Sequence, residues 1–261
     1  MKVAVCFKIV PDFENLLQEE WSNPEVLDFT YIKKMYGCFD EPALEMALRI
    51  KDGCTAAGKD MQAVAVTCGA PEGTVSEGLL RALFAAGFDD VVLMAKTDDF
   101  APKQTVGVLA AYFKENPVDL ILTGRMTGPG DSGTVPFYLA EELKLPLFTE
   151  LVEAKYDAES GGIEMTRRQA DWETKCLLPS CAVATVGDAE AAYLRLFPLM
   201  ARMNAKKRSY ITWEQEPNVT GDERPELQCE EVSAATCRFI ETESAEESAH
   251  ILLAMMRGDD K

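Results

Sequence analysis

The sequence predicts an α/β protein built on a parallel β-sheet with helices on both faces. Three observations carry that prediction. Short apolar runs of strand length alternate with segments of helical periodicity through residue 143. Glycine and proline mark the junctions between them. A glycine-rich stretch, 124–133, follows one apolar run and opens the next helical segment. Strands covered on both faces read as continuous apolar runs, and alternation with helices makes them parallel.

In order, residues 2–10 read as one buried strand ending at Pro11-Asp12. A polar stretch punctuated by Trp21-Ser22-Asn23-Pro24 reads as a loop or short hairpin. Asp40 is placed to cap a helix, Pro42 suits its first turn, and Ala43, Leu44, Ala47, Leu48 and Ile50 share one face. Gly58 closes that segment. Residues 62–67 form a second strand, ended by Cys68-Gly69-Ala70-Pro71-Glu72-Gly73. A helix over 76–86 stops at Gly87. Then come a strand at 90–95, a helix at 102–115 stopped by Asn116-Pro117, a strand at 118–123 and a helix at 135–143.

After Pro146 the pattern changes. Residues 147–154, 163–168 and 182–186 read as strands joined by turns such as Ser160-Gly161-Gly162. Residues 189–203 are apolar and basic, a loop plus a helix, and end in Lys206-Lys207-Arg208. Residues 210–213 read as a last strand. The stretch 214–231 is acidic with two prolines and a glycine, which is linker chemistry. A final amphipathic helix at 245–257 carries Ile251, Leu252, Met255 and Met256 on one side. The expected organisation is a nucleotide-binding core over 1–212 and an acidic arm over 213–261.

Composition excludes several functions. The 261 residues carry 26 Lys+Arg against 44 Asp+Glu, a net charge of −18, which argues against nucleic acid and anionic membrane as partners. The arm holds 13 acidic and 4 basic residues, half of that excess. No apolar stretch approaches the ~18 residues of a membrane span. Met1-Lys2 runs into Val3-Ala4-Val5-Cys6-Phe7, too short for a secretory signal, so the expected location is cytoplasmic. The 8 cysteines form no CxxC pair and read mostly as small buried hydrophobes. Asn218-Val219-Thr220 matches a glycosylation sequon by chance. His250 is the single histidine, so no His-based triad or His-rich metal site is expected.

Ligands of such sheets bind beyond the C-terminal strand ends. Three loops fall there: the one after Val10, the 68–73 turn and 124–133. In the last, Gly124, Gly128, Gly130 and Gly133 let backbone N–H groups approach an anion, and Ser132 and Thr134 add hydroxyls. The functional reading is a phosphate cradle; the bland one is an ordinary βα loop. It is neither a Walker A loop nor the usual dinucleotide fingerprint. Cys68 has no histidine base beside it and reads as part of a tight turn. Asp40-Glu41 forms an acid pair that helix capping explains better than catalysis. Trp172 and Trp213 are either packing residues or flavin contacts. Lys206-Lys207-Arg208 reads as a solvated cluster or as a partner for acids.

Together these segments resemble the beta subunit of electron transfer flavoprotein over residues 1 to about 212. The opening Val3-Ala4-Val5-Cys6-Phe7-Lys8-Ile9-Val10-Pro11-Asp12 is similar to its first strand, and Phe39-Asp40-Glu41-Pro42-Ala43-Leu44-Glu45-Met46-Ala47-Leu48-Arg49 to its next helix. Val66-Thr67-Cys68-Gly69 resembles its second strand end. Asp119-Leu120-Ile121-Leu122-Thr123-Gly124-Arg125, Gly130-Asp131-Ser132-Gly133 and Leu139-Ala140-Glu141 resemble its nucleotide loop and following helix. Leu178-Pro179, and Tyr193, Leu196 and Met200 ahead of Ala205-Lys206-Lys207, fit as well.

The resemblance implies a Rossmann-like core of the adenine nucleotide alpha hydrolase type and a heterodimer with an alpha subunit, which the C-terminal arm wraps. It implies an FAD shared with that subunit, and AMP or a second FAD in the beta subunit. The complex would pass electrons to or from a flavin dehydrogenase, often of the acyl-CoA dehydrogenase kind. The implied nucleotide site is Cys6 through its backbone, Gly37, Cys38, Phe39, Asp40, Cys68, and Gly124, Arg125, Met126, Thr127, Gly128, Pro129, Gly130, Asp131, Ser132, Gly133, Thr134 and Val135. The implied dehydrogenase-recognition loop is 193–200, with Tyr193, Met200 and an apolar anchor, Leu196.

The chain departs from the family pattern in places. Gly37-Cys38 stands where Asn-Pro is common, Met126-Thr127-Gly128-Pro129 replaces a Gln-containing stretch, Thr134 stands for Gln, and Ala191-Ala192 stands for Pro-Arg. Two other readings compete. A stand-alone adenine-nucleotide module of the universal-stress type would carry a Gly-x-x-Gly start that 124–133 does not reproduce. An adenylating hydrolase or ligase would need a Ser-Gly-Gly-x-Asp-Ser loop where Pro11-Asp12-Phe13-Glu14 stands.

Overall fold

The computed structural model describes residues 1–12, 32–69, 76–95, 102–128, 130–178, 180–214, 239–240, 242 and 244–257. It divides into two compact units, Met1–Glu226 and Leu227–Lys261, each taken by itself below.

The first unit is a nine-stranded sheet between two helical layers. Its strands are β1 (Lys2–Cys6), β4 (Gln62–Gly69), β5 (Asp90–Ala95), β6 (Leu120–Gly124), β7 (Leu147–Asp157), β8 (Gly162–Gln169), β9 (Trp172–Leu177), β10 (Ala182–Val186) and β11 (Ile211–Trp213). Their order is β11-β5-β4-β1-β6-β10-β7-β8-β9. Every pairing from β11 to β7 is parallel, whereas β7, β8 and β9 pair antiparallel. The α/β parallel core therefore stands, with a three-stranded antiparallel meander at one end.

Alternate side chains of the central strands feed two separate cores. Val3, Val5, Ala63, Ala65, Leu120 and Leu122 face helices α1 (Asp40–Ala56) and α2 (Glu77–Ala86). Ala4, Val64, Val66, Ile121 and Val183 face α3 (Pro102–Glu115) and α4 (Val135–Leu143). This two-sided burial is why those strands read as unbroken apolar runs. A short α5 (Leu199–Ala205) adds Ala205 to the α1 and α2 side.

Four expectations need correction. The strand expected over 2–10 ends at Cys6, because the Lys8 N–H leaves the ladder and donates to the Asp40 carboxylate at 2.9 Å. Ile9–Pro11 (β2) then pairs antiparallel with Lys34–Tyr36 (β3) in a separate two-stranded sheet. Strand β9 had no signal, since its WETKCL sequence is exposed nearly throughout and shows no apolar alternation. Ion pairs Arg168–Glu173 and Lys175–Glu164 flank its pairing instead. Arg208 is exposed but more than a solvated residue: it stacks 4.2 Å over the Phe84 ring and donates to the carbonyls of Phe88 and Asp89. The described cysteines are also less uniformly buried than expected. Cys6 and Cys54 are buried, Cys68 and Cys176 intermediate, Cys38 and Cys181 exposed, and all six are free thiols.

Trp213 packs edge-on against Tyr112 with ring centroids 5.6 Å apart, and pairs with Met94 in the sheet. Trp172 is exposed on the β9 edge. In the second unit, α6 (Ala245–Arg257) begins where the Ser244 hydroxyl accepts the Glu247 N–H at 3.2 Å, and none of its residues is buried. Among the described residues no helix is long and apolar enough to cross a membrane. The 21–24 punctuation, the 70–73 turn, residues 215–231, Cys229, Cys237 and the sequon lie outside the described residues.

Candidate functional site

The strand ends of β1 and β6 are tied together by one carboxylate. Asp40 sits in the first turn of α1, with Phe39 as the N-cap residue, and no side-chain hydrogen bond caps the helix. Its oxygens bridge the ends of two central strands instead. Oδ2 accepts from Lys8 N at 2.9 Å and Oδ1 from Gly124 N at 3.1 Å. The Thr127 hydroxyl lies against the same carboxylate and favours its ionised form. Glu41 likewise caps nothing and takes the Leu194 N–H at 3.1 Å. The capping reading of Asp40-Glu41 is thus replaced by two long-range ties.

Burial raises the Asp40 pKa to about 6, against the lowering effect of the Lys8 and Gly124 N–H groups, Thr127 and the Lys8 charge. Desolvation dominates because the residue is 4% exposed. The Cys6 thiol is pushed up as well, by burial first and then by the nearby Cys68 and Asp40. Neither group has the environment of an activated nucleophile. Cys68 also contacts the Met94 sulfur at 3.8 Å.

Gly124 is obligatory in this arrangement. A Cβ there would lie 2.8 Å from the Phe39 carbonyl carbon and 2.9 Å from Asp40 N. Gly133 has φ +61, and a Cβ on it would stand 2.9 Å from the Arg125 carbonyl oxygen. The chain thus folds back on itself between β6 and α4. Arg125 N bonds to Val186 O at the end of β10, and Asp131 N to Thr127 O. The N–H groups of Ser132, Gly133, Thr134 and Val135 donate to no other described residue. They surround the N-terminus of α4, where the helix dipole favours an anion. The hydroxyls of Ser132 and Thr134 lie 3.1 Å apart beside them. These donors fit a nucleotide phosphate.

Arg125 lies 4.1 Å over the Phe39 ring and meets Glu150 at 3.4 Å and Asp188 at 3.9 Å. These carboxylates brace the guanidinium beside the loop. Sequence reasoning did not find Lys8, Glu150 or Asp188. Glu150 reaches Arg125 from a left-handed backbone conformation, φ +59, and nothing in the sequence marks that.

The structure therefore brings Cys6, Phe39, Asp40, Cys68, Gly124, Arg125 and Thr127 together at the C-terminal ends of the central strands β4, β1 and β6, with the 130–135 turn following. Gly37 joins them, its carbonyl accepting from Asp40 N and Glu41 N. Cys38 is exposed beside it, and Pro129 lies outside the described residues. Tyr193, Leu196 and Met200 lie elsewhere and are exposed, as is Leu199. Among the described residues no metal-ligating cluster exists.

The electron transfer flavoprotein domain matches residues 37–218, well over half of the chain. The chain belongs to the electron transfer flavoprotein family. A putative electron transfer flavoprotein subunit of Escherichia coli (strain K12) is 28% identical over 247 residues, covering 91% of this chain and 89% of that one. The acryloyl-CoA reductase electron transfer subunit gamma of Anaerotignum propionicum is 30% identical over 193 residues, 68% and 66% of the two chains. The electron transfer flavoprotein subunit beta of Megasphaera elsdenii is 25% identical over 217 residues, 80% and 76%. Identities at this level make the chain a divergent, beta-like member of the family, with an electron-transfer role.

Proposed function

We propose that this chain is the beta-type subunit of a heterodimeric electron transfer flavoprotein, with AMP or a second FAD on the 124–135 loop. The observation that carries it is the set of N–H groups at the α4 N-terminus that donate to no other described residue, on a loop that Asp40 locks to β1 and β6. A main FAD, shared with an alpha-type subunit, supplies the redox chemistry. The residues of this chain bind and orient: Gly133, Thr134 and Val135 offer donors to phosphate, Ser132 adds a hydroxyl, and Asp40 with Gly124 fixes the loop. Tyr193, Leu196 and Met200 present an apolar surface to a flavin dehydrogenase. A relative named as an electron transfer subunit of acryloyl-CoA reductase supports an acyl-CoA-type flavoenzyme as that partner.

Co-expression with a family alpha subunit tests the reading. The expected product is a yellow heterodimer that is reduced by, or reduces, a flavin dehydrogenase. A colourless monomer that ignores the alpha subunit and binds ATP tightly would favour the stand-alone nucleotide module.

A further inference from the structure

Residues 187–198 connect β10 to α5 with no regular secondary structure, yet their middle is pinned to helix α1. Two consecutive backbone N–H groups donate into carboxylates one helical turn apart. Leu194 N donates to Glu41 at 3.1 Å and Arg195 N to Glu45 at 3.0 Å. The Arg195 guanidinium then returns to the same helix. Its Nε lies 3.0 Å and its Nη2 2.9 Å from the Glu45 carboxylate, and its Nη1 lies 2.7 Å from Asp52. Glu45, Asp52 and Glu41 share one face of α1, as their spacing of three to four residues or multiples requires.

The Glu45 side chain is only 7% exposed, in a helix otherwise lined with core residues. A carboxylate so placed is tolerated only with its charge and lone pairs answered. Here Arg195 and Arg49 answer them. The loop residues alternate around this clamp. Leu194 and Phe197 turn inward against the core, while Tyr193 is 77% and Leu196 99% exposed. A large apolar side chain wholly in solvent, beside a residue fixed by four hydrogen bonds to Glu45 and an ion pair to Asp52, is a presented anchor.

We propose that Glu45 and Arg195 are positioning residues for partner docking, holding residues 193–197 in the one conformation that projects Leu196 and Tyr193. This rests on the reading of that loop as the dehydrogenase-docking surface. Pre-organisation raises affinity by removing the cost of ordering the loop on binding. Glu41 supports the same conformation through Leu194, and its own pKa is raised by burial against that hydrogen bond. Arg195 recognises no partner directly in this account; it acts through Leu196.

The test uses the co-expressed heterodimer carrying Arg195→Gln, Arg195→Lys, Glu45→Gln or Leu196→Ala. Deuterium exchange is followed on the peptide spanning 193–197, and reduction by a substrate-reduced acyl-CoA dehydrogenase gives KM and kcat. Arg195→Gln should speed exchange of the Leu194 and Arg195 amides about tenfold or more. It should raise KM for the dehydrogenase about tenfold, with kcat and flavin content unchanged. Arg195→Lys should fall between, since it keeps charge but loses the fork. Leu196→Ala should raise KM and leave exchange alone. If Glu45→Gln does not fold, the part-exposed Arg195 variants still decide. Unchanged exchange in Arg195→Gln overturns the clamp. Faster exchange with unchanged KM, while Leu196→Ala raises KM, overturns its role in docking. An unchanged KM in Leu196→Ala sinks the docking reading itself, and the positioning role with it.

Discussion

Replacing Asp40 with Asn removes the ionisable group that ties β1, β6 and the glycine-rich loop together. The carboxylate accepts two backbone N–H groups, one on each oxygen. A carboxamide has one acceptor oxygen, so either Lys8 N or Gly124 N is left facing a donor. That orphan costs ~1–3 kcal/mol. The ionisation works in the opposite sense. The folded pKa, about 6, lies above the ordinary 3.8, so the folded state holds the proton more tightly. Stability from this group is therefore full below the ordinary value and falls as pH rises toward 6, by about 3 kcal/mol in total. Asn has no such dependence. Urea denaturation of both proteins at pH 4 and pH 7.5 should show the variant gaining on the parent by about 2 kcal/mol as pH rises, the rest of the loss lying below pH 4. Parallel pH profiles would refute the buried, reluctantly ionised carboxylate.

Other expectations follow from the same geometry. Gly124→Ala places a methyl 2.8 Å from the Phe39 carbonyl carbon and should destabilise the fold by about 3 kcal/mol, read as a lower urea midpoint. A stability within ~0.5 kcal/mol of the parent would contradict the close approach. Gly133→Ala forces a Cβ toward the Arg125 carbonyl at φ +61, and should release the nucleotide on dialysis more readily than the parent does. Equal retention would count against the loop as the cradle. Truncation before residue 214 removes α6 and the acidic stretch, and should weaken association with the alpha subunit in sedimentation. Unchanged affinity would show that the arm does not dock there.

Much of the fold was legible because chain breakers mark its boundaries. Helix α3 runs from Pro102 to Glu115, just before Asn116-Pro117, and α2 stops at Gly87. Strands β5 and β10 are apolar runs, and both were read at their observed limits. The meander strand β9 was not legible, because a strand exposed at a sheet edge needs no apolar alternation. The glycine-rich loop was found through its spacing. Its lock was not, because an acid that caps a helix and an acid buried in its first turn look alike in sequence. Asp40 lies 84 residues from Gly124, and Glu45 150 from Arg195. Neither pair has a local signature. The family resemblance pointed to the segments proposed for nucleotide and docking, while the carboxylates that hold both to α1 emerged only in three dimensions.

The central question is whether the 124–135 loop holds a nucleotide in a flavoprotein heterodimer. The direct measurement releases bound nucleotides from the purified, co-expressed complex and counts FAD and AMP per dimer. Two nucleotides are expected, one of them FAD, and the Gly133→Ala variant should lose the other while keeping the first. One FAD and nothing else in the parent complex, or two nucleotides indifferent to Gly133→Ala, would contradict it.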